Sequence, residues 1–180
     1  FQIEHTHKGH PGFLLGERSK TGFAHFGLVA FAVKNTPGFL LLVALALSLG
    51  IARWRGPWTP SAVLLLGLVV SVFAATSLGR VQIGERYLLP MYAPLIVLIS
   101  WAASTAFNAR WVWTALVVAL ALHVGPTVLQ ARHGFLPYFN LLAGGREGGH
   151  RFLLDSSLDW GQDLPRLAQW MRREHVPQVQ

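Results

Sequence analysis

The chain has 180 residues, 52% of them hydrophobic and 13% charged, about half the charged share of ordinary soluble domains, which excludes a simple soluble globule. Lys plus Arg outnumber Asp plus Glu by 15 to 8 for a net charge of +7, yet the basic residues stand singly at the ends of apolar runs, so lipid headgroups and not nucleic acid are the expected polyanion. With no cysteine there is no disulfide framework, no thiolate nucleophile and no Cys-based zinc site.

The chain opens on Phe1 and closes on Gln180 with neither an initiator Met nor a secretory leader in view, and is expected to be an excerpt of a longer polypeptide. Residues 1–34 form a His- and Gly-rich lead-in, expected to be a loop with an interfacial segment. His5, His7 and His10, with Glu4 and Glu17 near, can converge on a divalent metal where Gly9 lets the loop turn back, although the spacing matches no recognised ligand motif. The competing reading is a solvated loop. Next, Phe13, Leu14 and Leu15 could dip into the bilayer interface while Arg18 and Lys20 stay at phosphate depth; a plain juxtamembrane loop accounts for the same residues.

Between residues 35 and 131 the only Lys, Arg, Asp or Glu are Arg53, Arg55, Arg80, Glu85, Arg86 and Arg110. About 20 apolar residues cross a hydrocarbon core of roughly 30 Å, so the charge-free runs predict four transmembrane helices, at about 35–52, 59–79, 87–109 and 111–131. The first is short and can borrow a turn from Phe26–Val33. Pro90 falls in the first turn of the third span, where it is tolerated, and Pro94 is expected to kink it. An even number of crossings returns the chain to the face it left, so both polar flanks should share one compartment. Trp54, Trp58, Trp111 and Trp113 suit an aromatic belt on the other face, and the distribution of arginines does not by itself fix the orientation.

Where the third span begins, Arg86, Tyr87 and Tyr92 set positive charge and phenols at a helix N-terminus, which suits a phosphate or pyrophosphate; routine interfacial anchoring uses the same residues. His123, alone among apolar neighbours in the fourth span, reads as a packed histidine rather than a proton relay. The tail, residues 132–180, begins as a loop and ends in a helix, with Asp163 near its N-cap and Pro165 in its first turn. Before that helix, Asp155-Ser156-Ser157-Leu158-Asp159-Trp160-Gly161-Gln162-Asp163-Leu164 gathers carboxylates, an amide and an indole. Such a set can recognise a sugar, and it can equally make a turn and a helix cap.

The order of the motifs carries a resemblance. Gly12-Phe13-Leu14-Leu15-Gly16-Glu17, then Lys34-Asn35-Thr36-Pro37, Arg86-Tyr87-Leu88-Leu89-Pro90, Tyr138-Phe139-Asn140 with Gly144-Gly145, and last Asp159-Trp160-Gly161-Gln162-Asp163-Leu164 together resemble the C-terminal half of bacterial membrane glycosyltransferases of family 39 (C-type fold), related to protein O-mannosyltransferases and aminoarabinose transferases. The family commonly has Lys-Thr-Pro where this chain has an extra Asn35, which shifts the register of the first span.

The resemblance implies an all-α, multi-pass protein of the cytoplasmic (inner) membrane with both flanks extracytoplasmic, and a tail that starts a small soluble domain. It implies an inverting hexosyl or pentosyl transferase that takes sugar from a polyprenyl-phosphate carrier, as from dolichyl-phosphate-mannose, and passes it to a protein, lipid or glycan. No catalytic residue of the family falls within this chain, whose catalytic carboxylates lie further N-terminal, so the excerpt alone is expected to be inactive. Arg86 and Tyr87 resemble family positions near the carrier phosphate, and the His10 to Glu17 loop resembles the element that closes over the active site; with Lys20 and, in a tail motif to which the resemblance gives no role, Asp159, Trp160, Gln162 and Asp163, these are the positions expected to bind lipid phosphate or substrate. A divalent metal at His5, His7 and His10 is the one cofactor in view. The competing class is a transporter or flippase segment without covalent chemistry, against which the near absence of ionisable residues inside the spans argues; a structural anchor for a partner protein is the third.

Overall fold

The computed structural model describes residues 12–52, 59–82, 84–106, 108–131, 134–154 and 157–177. Two short strands open it, β1 (Gly12–Leu14) and β2 (Glu17–Ser19), paired antiparallel with Phe13 opposite Arg18. Helices follow as α1 (Phe26–Lys34), α2 (Pro37–Ala52), α3 (Pro60–Leu78), α4 (Leu89–Ser104) after a 3-10 turn at Glu85–Leu88, and α5 (Arg110–Ala131). The tail carries 3-10 turns at Leu141–Ala143 and Gly149–Arg151 around the one-turn helix α6 (Gly145–Gly148), and ends in α7 (Leu164–Arg173).

From Gly12 onward the lead-in therefore carries a hairpin and a helix where a loop with an interfacial segment was expected. The two-residue connection Leu15-Gly16 has φ of 53° and 91°, positive at both central residues as a tight hairpin demands. Leu15 donates its N–H to the carbonyl of Phe152 at 3.1 Å, and the neighbouring Leu14 is buried in the core. That burial excludes the pattern in which Leu14 dips freely into a bilayer. The stretch 26–34 is a helix of its own, not an added turn of the first span. Pro37 forces the break, because it supplies no N–H and disfavours helical backbone just before it. Asn35, two residues ahead of Pro37, is extended, with ψ of 149°, and the hydroxyl of Thr36 accepts from the N–H of Phe39 at 3.2 Å.

Helices lie where the four spans were expected, with ends within about five residues of those predicted. Three helices, Pro60–Leu78, Glu85–Ser104 with its 3-10 turn, and Arg110–Gln130, are long and apolar enough to cross a membrane, and α2 is shorter. Its 16 residues reach about 24 Å at about 1.5 Å per residue. Thr59 caps α3, accepting from the N–H of Ala62 at 3.2 Å. Helix α4 continues through Pro94. Helices α2 and α4 pack together at the centre, with α5 against α2 and α3 against α4. Outward side chains such as Leu64, Val117 and Val128 are more than half exposed, as expected for helices whose solvent is lipid. Trp111 and Trp113 lie exposed at the start of α5, whereas Trp54 and Trp58 lie outside the described residues.

The buried core is at one end of the bundle. Leu14, Phe26, Ala30, Val33, Leu88, Met91, Phe139, Ala143 and Leu153 form one cluster, so the hairpin, α1, the head of α4 and the tail share a single interior. Polar clamps close it. Asn140 donates from Nδ2 to the carbonyls of Ala32 at 2.6 Å and Asn35 at 2.8 Å, and its own N–H reaches Val33 O at 2.9 Å, so residues of the tail satisfy the carbonyls left open at the end of α1. Gln82, buried, donates to Phe23 O at 2.9 Å and accepts from Phe23 N at 2.7 Å, fastening the lead-in to the end of α3.

Candidate functional site

At the head of α4, under the tail, lies a cavity of about 700 Å³ whose wall includes Lys34, Glu85, Arg86, Tyr138, Ser157 and Trp160. The wall residues arrive from three separate parts of the chain: Lys34 ends α1, Glu85 and Arg86 sit on the 3-10 turn that starts α4, and the other three belong to the tail.

Arg86 is exposed to the cavity, and among the described residues its guanidinium has no carboxylate or hydrogen-bond partner. Aromatic faces hold it instead, the Tyr87 ring centroid 5.4 Å away and that of Trp160 4.9 Å away. A guanidinium stacked on aromatic rings keeps its in-plane donors free for a phosphate oxygen.

The tail motif explains how Trp160 comes to be there. Asp159 accepts from the N–H of Gly161 at 2.8 Å, Gln162 Oε1 accepts from the N–H of Trp160 at 2.6 Å, and Gln162 Nε2 donates to Leu158 O at 3.1 Å. Gly161 takes φ of 85°, the left-handed backbone that this turn needs. Asp163 sits at the start of α7 without capping it and pairs with Arg166 at 3.2 Å and Arg146 at 3.7 Å. Thus Asp159, Gln162 and Asp163 build and pin a turn, and Trp160 is the group that turn presents.

Lys34 is spent on structure. Its ammonium donates to the carbonyls of Leu136 at 2.8 Å, Tyr138 at 3.2 Å and Ser157 at 2.6 Å, and rests 4.1 Å from the centre of the Phe139 ring. Burial pulls its pKa down to about 8, partly countered by the negative charge of Glu85, so it is a cation at neutral pH. Burial also raises the phenol of Tyr138. Glu85 is held from the other side: Tyr92 donates its hydroxyl proton to Glu85 Oε1, and Asn35 Nδ2 donates to Tyr92 Oη at 2.8 Å.

Of the residues expected to bind substrate, Arg86, Trp160 and Gln162 come together on this cavity. Tyr87 is not on the cavity wall, and its ring centroid lies 5.4 Å from the Arg86 guanidinium. Glu17 and Lys20 are exposed on and beside β2, away from the cavity wall. His5, His7 and His10 lie outside the described residues; among the described residues, no group of three His, Asp or Glu could hold a metal ion. Lys34, Glu85, Tyr138 and Ser157 were missed as site residues, although the Lys-Asn-Thr-Pro string and the carboxylate beside Arg86 were visible signals. His123 is packed, its Nδ1 2.6 Å from Thr36 Oγ1 and its ring centroid 6.2 Å from that of Phe39.

A second, wholly apolar crevice of about 340 Å³ opens between α2, α3 and α4, lined by Val43, Val69, Leu95 and Ile99 among others. Helix α4 therefore borders a polar cavity at its head and an apolar crevice along its length. No family model matches the chain, and neither a curated protein nor a solved structure matches it closely enough to count as a relative.

Proposed function

We propose that this chain belongs to an integral membrane glycosyltransferase that takes a sugar from a polyprenyl-phosphate carrier, with Arg86 receiving the carrier's phosphate. The single observation that carries the reading is a cavity-lining guanidinium at the head of an apolar helix, stacked on Trp160 and without an acidic partner among the described residues. A lipid phosphate is amphiphilic in the same sense as α4, whose polar head and apolar flank border two separate cavities.

In the proposed arrangement α2 joins the three longer helices as a fourth crossing, and the lead-in and tail lie together in the extracytoplasmic space. The hydrogen bond from Leu15 to Phe152 and that from Lys34 to Ser157 support one shared side for the two flanks. During transfer, the acceptor oxygen would form a bond to the anomeric carbon as the bond from that carbon to the phosphate oxygen breaks. The acceptor proton would pass to a carboxylate base supplied from outside this chain, and the lipid phosphate would leave with its added negative charge stabilised by Arg86.

The test is transfer of a labelled sugar from polyprenyl phosphate by the full-length protein, as wild type and as R86A and R86K. R86A is expected to lose about a hundredfold or more in kcat/KM and R86K to recover part of it, because a lysine keeps the charge without the stacked, forked donor set. Wild-type turnover by R86A would remove the phosphate role from Arg86. Addition of a chelator in the same assay tests the metal expected at the lead-in histidines.

A further inference from the structure

Two polar groups on the cavity wall have bonding capacity that the protein leaves open. Glu85 gives Oε1 to the Tyr92 hydroxyl, and among the described residues no group donates to its Oε2. Ser157 is 3% exposed, and its Oγ is a buried side-chain oxygen that among the described residues has no hydrogen-bond partner. Both flank Lys34, which takes the Ser157 carbonyl at 2.6 Å and is drawn electrostatically to Glu85, and both line the cavity that Arg86 borders. A buried hydroxyl without a partner is uncommon in native proteins and invites a ligand atom.

We infer that Glu85 and Ser157 form a hydroxyl-recognition subsite beside Arg86, in which Glu85 Oε2 accepts a hydrogen bond from one hydroxyl of the carrier's head group and Ser157 Oγ bonds a second polar atom of it. Glu85 is a specificity residue in this scheme. Tyr92 and Asn35 are positioning residues, since the chain from Asn35 through Tyr92 fixes which carboxylate oxygen faces the cavity. Lys34 cannot take this role, because its ammonium already serves three carbonyls. The assignment rests on the reading of the cavity as a lipid-phosphate site and adds what the site selects.

Binding of two probes to the full chain in nanodiscs separates the two ideas: polyprenyl phosphate alone and polyprenyl phosphate bearing one hexose. Wild type should prefer the glycosylated probe. E85Q, whose amide can still accept from Tyr92 but offers an N–H₂ where the open oxygen stood, should lose at least about tenfold of that preference, as expected for a hydrogen bond to a charged group. S157A should lose a smaller part, and both variants should still bind the bare phosphate, E85Q no more weakly than wild type because it removes a negative charge beside the site, which also reports that they fold. R86A should weaken both probes equally. Equal binding of the two probes by wild type, a preference that survives both E85Q and S157A, or loss of the bare phosphate by E85Q while S157A keeps the preference would each overturn the subsite and leave the phosphate reading standing. Failure of wild type to bind either probe would overturn the phosphate reading and the subsite with it.

Discussion

The ammonium of Lys34 donates to the carbonyl of Ser157 at 2.6 Å across 123 residues of sequence, and this contact fastens the tail to the end of α1. Because burial lowers the pKa of Lys34 from 10.5 to about 8, the folded protein holds this proton less tightly than the unfolded chain. Between those two values the unfolded chain is the more protonated form, so the contribution of this site to stability increases as pH rises from about 8 to 10.5, by on the order of 3 kcal/mol in all. K34M should remove that slope. It should also melt lower than wild type at pH 7, because three carbonyls lose their donor. Thermal unfolding in detergent at pH 7 and at pH 9.5 checks both; parallel pH dependence of the two proteins would contradict the account.

Asn140 serves the same junction with its amide. In N140D the shape is kept, but the Nδ2 protons that serve Ala32 and Asn35 are gone and an acceptor faces two carbonyls in a buried site. The expected cost is about 2–4 kcal/mol. Limited proteolysis of detergent-solubilised protein should cut N140D within the tail at protease levels that leave wild type intact.

Helix positions were legible because lipid imposes a simple arithmetic: any charge-free run near 20 residues must satisfy its own backbone as a helix. The runs before Arg80 and after Arg110 gave α3 and α5 almost to the residue. The junction was not legible in the same way. Lys34, Asn140 and Gln82 each bond across long stretches of chain, and nothing local to them distinguishes a buried clamp from a surface polar residue. The hairpin at Gly12–Ser19 was overlooked because its turn uses Leu15 at positive φ, where an Asn or Gly would have announced it. In the tail, the acidic cluster read both as a sugar-binding surface and as a turn with a helix cap; Asp159 is used by the turn and Asp163 by arginines, and the aromatic they present is the group that reaches Arg86.

Trp160 should therefore matter through its ring. W160F keeps a face for the Arg86 guanidinium and should bind polyprenyl phosphate within about threefold of wild type. W160A leaves the guanidinium free to swing and should weaken binding by about fivefold or more, in line with roughly 1 kcal/mol for a cation over an aromatic face. Titration in nanodiscs reads both; equal affinities of W160A and wild type would show that the stack does not hold Arg86 for its ligand.

The absence of cysteine from this chain makes the proposed shared side of the flanks directly measurable. E17C, on exposed β2, and Q169C, on exposed α7, should both react with an impermeant thiol reagent on intact cells, whereas N108C, at the turn between α4 and α5, should react only after permeabilisation. Modification of only one of E17C and Q169C before permeabilisation would break the even count of crossings.

Gly38 marks a close approach between α2 and α5. A Cβ there would stand 2.0 Å from Ala119 O and 2.4 Å from His123 N, so α2 and α5 touch backbone to backbone, as small residues allow helices in lipid to do. Adding one methyl must push the helices apart or bend them, at about 1–3 kcal/mol, and it should disturb the contact of His123 with Thr36 on the neighbouring turn. Gly67, on α3, has open space around the same built atom, so G67A should be neutral or slightly stabilising through helix propensity. Thermal stability of the two variants in one detergent makes the comparison: a G38A as stable as G67A would mean that the α2–α5 crossing is looser than its backbone geometry requires.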